Sequence, residues 1–200
     1  MIRKIRIVLW LLVGVLGSYV GYYTFTEPGY KRASTSDKVA EIGGRFSIAS
    51  TKGGRLTNED LLGKPWMLFF GFTYCPDVCP TTLLEMTQWL KELGDKSKDL
   101  QAVFVTVDPE RDNIEHLTEY MSSFDKRIIG LSPTIDELAK LAKDYKIYYK
   151  KVPNDDGDDY SMDHSSAVLL FDRNGQFRST VDYHEDPKTA VKKLDLLQRR

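Results

Sequence analysis

Apolar positions divide this chain into two unequal parts. Residues 7–25 form an unbroken uncharged, mostly apolar run, close to the roughly 20 residues a helix needs to cross a bilayer. The rest is patterned more finely. Residues 45–50 and 55–56 flank Lys52-Gly53-Gly54 as a short hairpin would. Residues 66–73 and 101–107 are nearly continuous apolar runs, as expected of strands covered on both faces. Between them Leu83, Leu84, Met86, Trp89, Leu90 and Leu93 recur at helical spacing. A second amphipathic helix is predicted over 113–124 with Asp112 as its N-cap, then a strand over 127–131. A third helix is predicted over 133–145, with Thr134, Asp136 and Glu137 suited to its start. Residues 147–152 alternate like a strand. Residues 167–171 and 176–181 form a hairpin over Arg173-Asn174-Gly175, and a last helix covers 186–197, with Pro187 in its first turn.

Helices falling between strands imply a sheet covered on both faces, and a terminal hairpin makes that sheet mixed. The expected architecture is α/β. A thioredoxin-like mixed sheet is flanked by helices, with an N-terminal hairpin, and sits on a single N-terminal transmembrane helix. The divisions are a cytoplasmic N-terminus over 1–6, an anchor over 7–25, a linker over 26–40 and the folded domain over 41–200. Residues 153–165 read as a long loop containing Asp155, Asp156, Asp158 and Asp159 and ending in Met162-Asp163-His164. The acidic cluster lacks the order of a calcium loop and reads as solvated, with contact to basic residues of a partner as a further reading.

Charge places the domain. Arg3, Lys4 and Arg6 precede the apolar run and favour a cytoplasmic N-terminus. A cleaved signal peptide would want a shorter run and a small-x-small site; Gly14, Gly17, Ser18 and Gly21 do not have that spacing. No Arg- and Ser-rich presequence leads the chain. The expectation is a single-pass protein of a bacterial inner membrane with its domain in the periplasm. Setting aside the three leading basic residues, 25 basic face 29 acidic ones. That balance carries no basic stripe for nucleic acid.

Only two cysteines are present, Cys75 and Cys79, at the junction of the apolar run and the first amphipathic helix. Helix N-termini stabilise thiolates. Such a pair outside the cytoplasm suits thiol–disulfide exchange, metal binding or a small structural crosslink. Of the three histidines, His116 reads as solvated on a helix and His184 as surface. His164 lies just before the strand over 167–171, at the junction that a thioredoxin-like sheet turns toward the cysteines. Two thiolates and an imidazole suit Cu(I) and Cu(II). Zinc would want a fourth ligand, for which Asp77 and Asp163 are the available groups.

The stretches Gly63-Lys64-Pro65-Trp66, Phe70-Gly71-Phe72-Thr73-Tyr74-Cys75-Pro76-Asp77-Val78-Cys79-Pro80, Val105-Thr106-Val107-Asp108-Pro109-Glu110-Arg111-Asp112 and Asp163-His164-Ser165 together closely resemble the Sco/SenC family in order and spacing. The resemblance implies a membrane-tethered copper metallochaperone for the binuclear copper centre of cytochrome c oxidase subunit II. It also implies one copper ion, Cu(I) or Cu(II), held by Cys75, Cys79 and His164. Asp77, Asp163, Asp108 and Arg111 are candidates for the groups around those ligands. The alternative is a thiol–disulfide oxidoreductase that uses Cys75 and Cys79 to keep an acceptor's cysteines reduced.

Overall fold

A computed structural model describes residues 2–26, 42–154 and 159–199. The predicted linker, but for Thr26, and Asp155, Asp156 and Asp158 lie outside the described residues. The chain divides into two compact units, Met1–Ala40 and Glu41–Arg200. In the first, α1 (Ile2–Thr26) is one continuous helix. Among the described residues no helix is long and apolar enough to cross a membrane.

The second unit is built on a seven-stranded mixed sheet. Its strands are β1 (Ser47–Ser50), β2 (Arg55–Thr57), β3 (Trp66–Gly71), β4 (Gln101–Thr106), β5 (Ile128–Ser132), β8 (Val168–Phe171) and β9 (Phe177–Val181), in the order β2-β1-β5-β4-β3-β8-β9. The interior strand β3, next to the central β4, runs parallel to β4 and antiparallel to β8. The helices α2 (Val78–Glu92), α3 (Ile114–Met121), α4 (Ile135–Tyr145) and α5 (Pro187–Gln198) complete the domain. This is the thioredoxin-like arrangement expected from the pattern.

Strand alternation sorts the side chains of β3. Trp66 and Phe70 meet Tyr145 of α4, and Trp66 stacks on Phe171 with centroids 4.1 Å apart. Phe69 and Gly71 face the other way, toward Phe104 and Cys79. Every residue of β3 is buried, so the strand delivers the following turn from the most constrained part of the molecule.

Four expectations change. Helix α2 begins at Val78, ahead of the apolar spacing that starts at Leu83, so Cys79 sits inside its first turn. Asn113, not Asp112, caps α3, accepting a hydrogen bond from the His116 N–H at 2.9 Å. Both are good capping residues, but Asp112 is buried and committed elsewhere. The third change is the loop read over 153–165, which contains a strand. Strand β6 (Tyr149–Pro153) pairs antiparallel with β7 (Tyr160–His164), forming a separate two-stranded sheet. His164 is thus the last residue of a strand. Finally, His116 is half-buried, with Nε2 2.9 Å from the Thr73 hydroxyl; His184 is exposed, as expected.

Candidate metal centre

The cysteine turn follows directly from β3. Asp112 holds its first residues: one carboxylate oxygen accepts from the Thr73 N–H at 2.9 Å, the other from the Thr73 hydroxyl at 2.5 Å. Thr106, at the end of β4, donates its hydroxyl to the same carboxylate at 2.5 Å. A fully buried carboxylate thereby ties the turn to the neighbouring strand.

Gly71 has a second role. A Cβ built there would lie 2.8 Å from Cys79 Sγ and 2.8 Å from the Phe104 ring. Only glycine lets β3 pass this closely under the Cys79 sulfur.

Asp77 occupies the N-cap position of α2, but its side chain makes no cap hydrogen bond. The Cys75 sulfur does that work, accepting the Cys79 backbone N–H at 3.3 Å. Pro80 follows as the third helical residue and has no N–H to satisfy. Cys75 is half-exposed and Cys79 fully buried, both as free thiols.

The third group arrives from β7. His164 Nε2 lies 3.3 Å from Cys79 Sγ, and Nδ1 lies 2.9 Å from the Ser165 carbonyl. A carbonyl only accepts, so Nδ1 donates to it and Nε2 faces the sulfur. Ser165 is itself held by Tyr148 through a pair of bonds at 3.0 Å. The imidazole packs edge-on to Phe69 and Phe72. The two sulfurs and the imidazole nitrogen lie within 4.8 Å of one another.

Electrostatics separate the two thiols. The Cys79 thiol donates to Cys75, and this contact, helped by His164 and the Cys79 and Asp77 N–H groups, lowers the Cys75 pKa to about 4. Its partner moves the other way: donation to Cys75, burial and the neighbouring thiolate push Cys79 well above the usual thiol range. Near neutral pH the shared proton thus sits on Cys79 and the negative charge on the half-exposed Cys75 sulfur.

The remaining candidates are placed unevenly. Asp163 is exposed and registers with Lys150, on the strand face opposite to His164. Successive strand residues point to opposite faces, and it is the Ser165 carbonyl that accepts from Nδ1 of the His164 ring. Asp77 is exposed; its side chain accepts only a long contact from the Thr81 hydroxyl, 3.4 Å, and the group reaches the site through its backbone. Asp108 is buried and pairs with Arg111 at 2.5 Å, beside the turn. Sequence reasoning missed the roles of Gly71, Thr73, Asp112 and Tyr160. The departure of Gly71 from an otherwise apolar run was the one signal available.

The SCO1/SenC family pattern matches residues 34–198. The mitochondrial protein SCO1 of Saccharomyces cerevisiae is 37% identical, over 90% of this chain and 63% of its own length. The chain thus spans somewhat under two thirds of that relative. The SCO2-like protein of Rickettsia felis is 34% identical over 96% of this chain and 95% of its own. The copper-bound structure of Bradyrhizobium japonicum ScoI superposes with a TM-score of 0.72 at 42% identity, covering 78% of this chain and 99% of that one. The chain belongs to the SCO1/SenC family.

Proposed function

We propose that this chain is a copper chaperone that binds one copper ion as cargo through Cys75, Cys79 and His164 and serves cytochrome c oxidase assembly. The observation that carries the reading is the convergence of two sulfurs and an imidazole nitrogen within 4.8 Å. The donor set fits copper: two thiolates suit soft Cu(I), and an added imidazole suits Cu(II) as well. The copper-bound B. japonicum relative supports it, as does the Sco family's standing as one of cytochrome c oxidase assembly proteins. Subunit II, with its binuclear copper centre, is the acceptor we propose.

The chain's own groups prepare the site. Cys75 offers a thiolate at the mouth while Cys79 keeps its proton, and loading requires both sulfurs deprotonated. Nε2 of His164 lies 3.3 Å from the Cys79 sulfur.

We also propose that residues 7–25 anchor the domain in a bacterial inner membrane, with the domain in the periplasm. The exposed apolar side chains of Trp10, Leu11, Leu12, Val13, Val15 and Leu16 on one continuous helix support this. A helix of this length extends about 38 Å.

A second reading has its own support. A half-exposed thiolate beside a buried thiol is the arrangement of a dithiol reductant. Cys75 would attack an acceptor disulfide and release one acceptor thiolate; Cys79 would then displace the second, leaving a Cys75–Cys79 disulfide and a reduced acceptor.

Copper titration of the reduced full chain in detergent separates the readings. The wild type is expected to take one equivalent, with thiolate-to-Cu(II) absorption. Cys75→Ser and Cys79→Ser are expected to lose tight Cu(I) binding. His164→Ala is expected to weaken Cu(II) far more than Cu(I) and to leave any disulfide reductase activity intact. An unchanged Cu(II) spectrum in His164→Ala would overturn the ligand assignment.

A further inference from the structure

Two of the three proposed ligands belong to the seven-stranded domain, whereas the third belongs to a small sheet that shares no strand pairing with it. What holds β7 in place is therefore a question of side chains. The polar tethers run to a short stretch after β4. Tyr160, at the start of β7, donates its hydroxyl to Asp108 at 2.9 Å. Arg111 Nη1 donates to the Tyr160 carbonyl and to Asp159, each at 3.0 Å. Lys151 of β6 pairs with Glu110 at 2.8 Å.

Arg111 is the centre of this group. Its side chain is 16% exposed, and its partner Asp108 is 3% exposed. The Tyr160 ring lies 3.7 Å from the guanidinium carbon, and the Tyr74 ring lies 4.7 Å from it. Tyr74 immediately precedes Cys75, and Tyr160 lies four residues before His164 on the same strand. One planar cation thus touches both halves of the site. A lysine could match the charge but not the fork or the flat stacking surface.

We propose that Arg111 is the positioning residue of this centre: clamped on Asp108 and lying against both tyrosines, it sets the distance between the His164 imidazole and the thiolates. The inference rests on the copper reading above. Its consequence is selective. The two sulfurs are joined independently of Arg111, by the Cys79 N–H donating to the Cys75 sulfur at 3.3 Å, so Cu(I) held by two thiolates survives its loss. The imidazole contribution, on which Cu(II) depends, does not.

The test is a double-mutant cycle on the full chain in detergent, with copper itself as probe. Cu(II) affinity and the thiolate-to-Cu(II) absorption are measured beside Cu(I) affinity from competition with a chromogenic chelator. Arg111→Met is expected to weaken Cu(II) about 10- to 100-fold, as loss of groups supporting a ligand commonly does, and to leave Cu(I) near wild type. In a His164→Ala background the same change is expected to add nothing, since residues acting through one group are not additive. Arg111→Lys is expected to recover only part of the loss. Tyr160→Phe removes one hydroxyl while keeping the ring, and carries the same cycle if Arg111→Met does not fold. Equal losses for both oxidation states, additivity with His164→Ala, or no loss of Cu(II) would each overturn the positioning role. If His164→Ala alone leaves Cu(II) binding unchanged, the ligand assignment falls and takes this inference with it. A defect in His164→Ala without one in Arg111→Met or Tyr160→Phe overturns only the inference.

Discussion

The two arms of the site are held by different physics. The cysteine arm grows out of β3, whose residues are all buried, and its second sulfur and the Phe104 ring both close on Gly71. The histidine arm ends a two-stranded sheet with exposed residues on one face, tethered by hydrogen bonds, an ion pair and stacked rings. Core packing fixes positions steeply, because displacement creates voids or clashes. A few directional polar tethers fix a strand less steeply than close packing on every side. A carrier that must hold and then release an ion gains from that asymmetry: the thiols stay preformed while the third ligand can withdraw.

Gly71→Ala attacks the rigid arm and has the largest expected effect of the changes considered below. The new methyl would fall 2.8 Å from both Cys79 Sγ and Phe104. Neither can yield easily, as one sits in the first turn of α2 and the other inside the sheet. Overpacking of this kind costs about 1–3 kcal/mol. Thermal unfolding is expected to move down, and Cu(I) and Cu(II) affinities to fall together because the sulfur itself is displaced. An affinity loss confined to Cu(II) would contradict the comparison.

The same contrast explains what was legible beforehand. The apolar run, the helical spacing after it and the cysteines between them are local patterns, so β3, the turn and α2 could be read directly. His164 could be read as the third group because sheet topology turns its junction toward the cysteines. Strand β7 was hidden: in Tyr160-Ser161-Met162-Asp163-His164 the alternation is short and follows an acidic tract, so it passed for loop. Asp112 looked like a cap because Asp112 and Asn113 are both capping residues. Only the proximity of Thr73 and Thr106 shows which one the helix leaves free. Arg111 contacts Asp159 across 48 positions, a distance no local pattern reveals.

A second effect, spread over pH rather than read at one pH, comes from protons on the rigid arm. Unfolded, both thiols titrate near the ordinary thiol value of 9.0. Folded, Cys75 loses its proton near pH 4, whereas Cys79 keeps its own well above the ordinary thiol range. Between those limits the unfolded chain binds one proton more than the folded one, so stability of the reduced, metal-free protein rises with pH from about 5 to 8. Above the ordinary thiol pKa the folded pair binds the extra proton and the trend reverses. Cys75→Ser is expected to flatten the rise in chemical unfolding measured across that range. Alkylation of Cys75 is expected to stay nearly constant down to about pH 5 and to slow only as pH approaches 4. A rise that persists unchanged in Cys75→Ser would place its origin elsewhere.

The smallest expected effect sharpens the description of the flexible arm. Asp163 adjoins His164 in sequence and is the obvious candidate to orient it. Strand alternation turns Asp163 outward, beside Lys150, while the Ser165 carbonyl takes the Nδ1 proton. Asp163→Asn is therefore expected to change stability by no more than about 0.5 kcal/mol, as exposed substitutions away from special features usually do. It is also expected to leave both the position and the intensity of the thiolate-to-Cu(II) absorption unchanged. A shifted spectrum would mean that this carboxylate reaches the ring after all, and that the histidine arm is held from its exposed face as well as from Arg111.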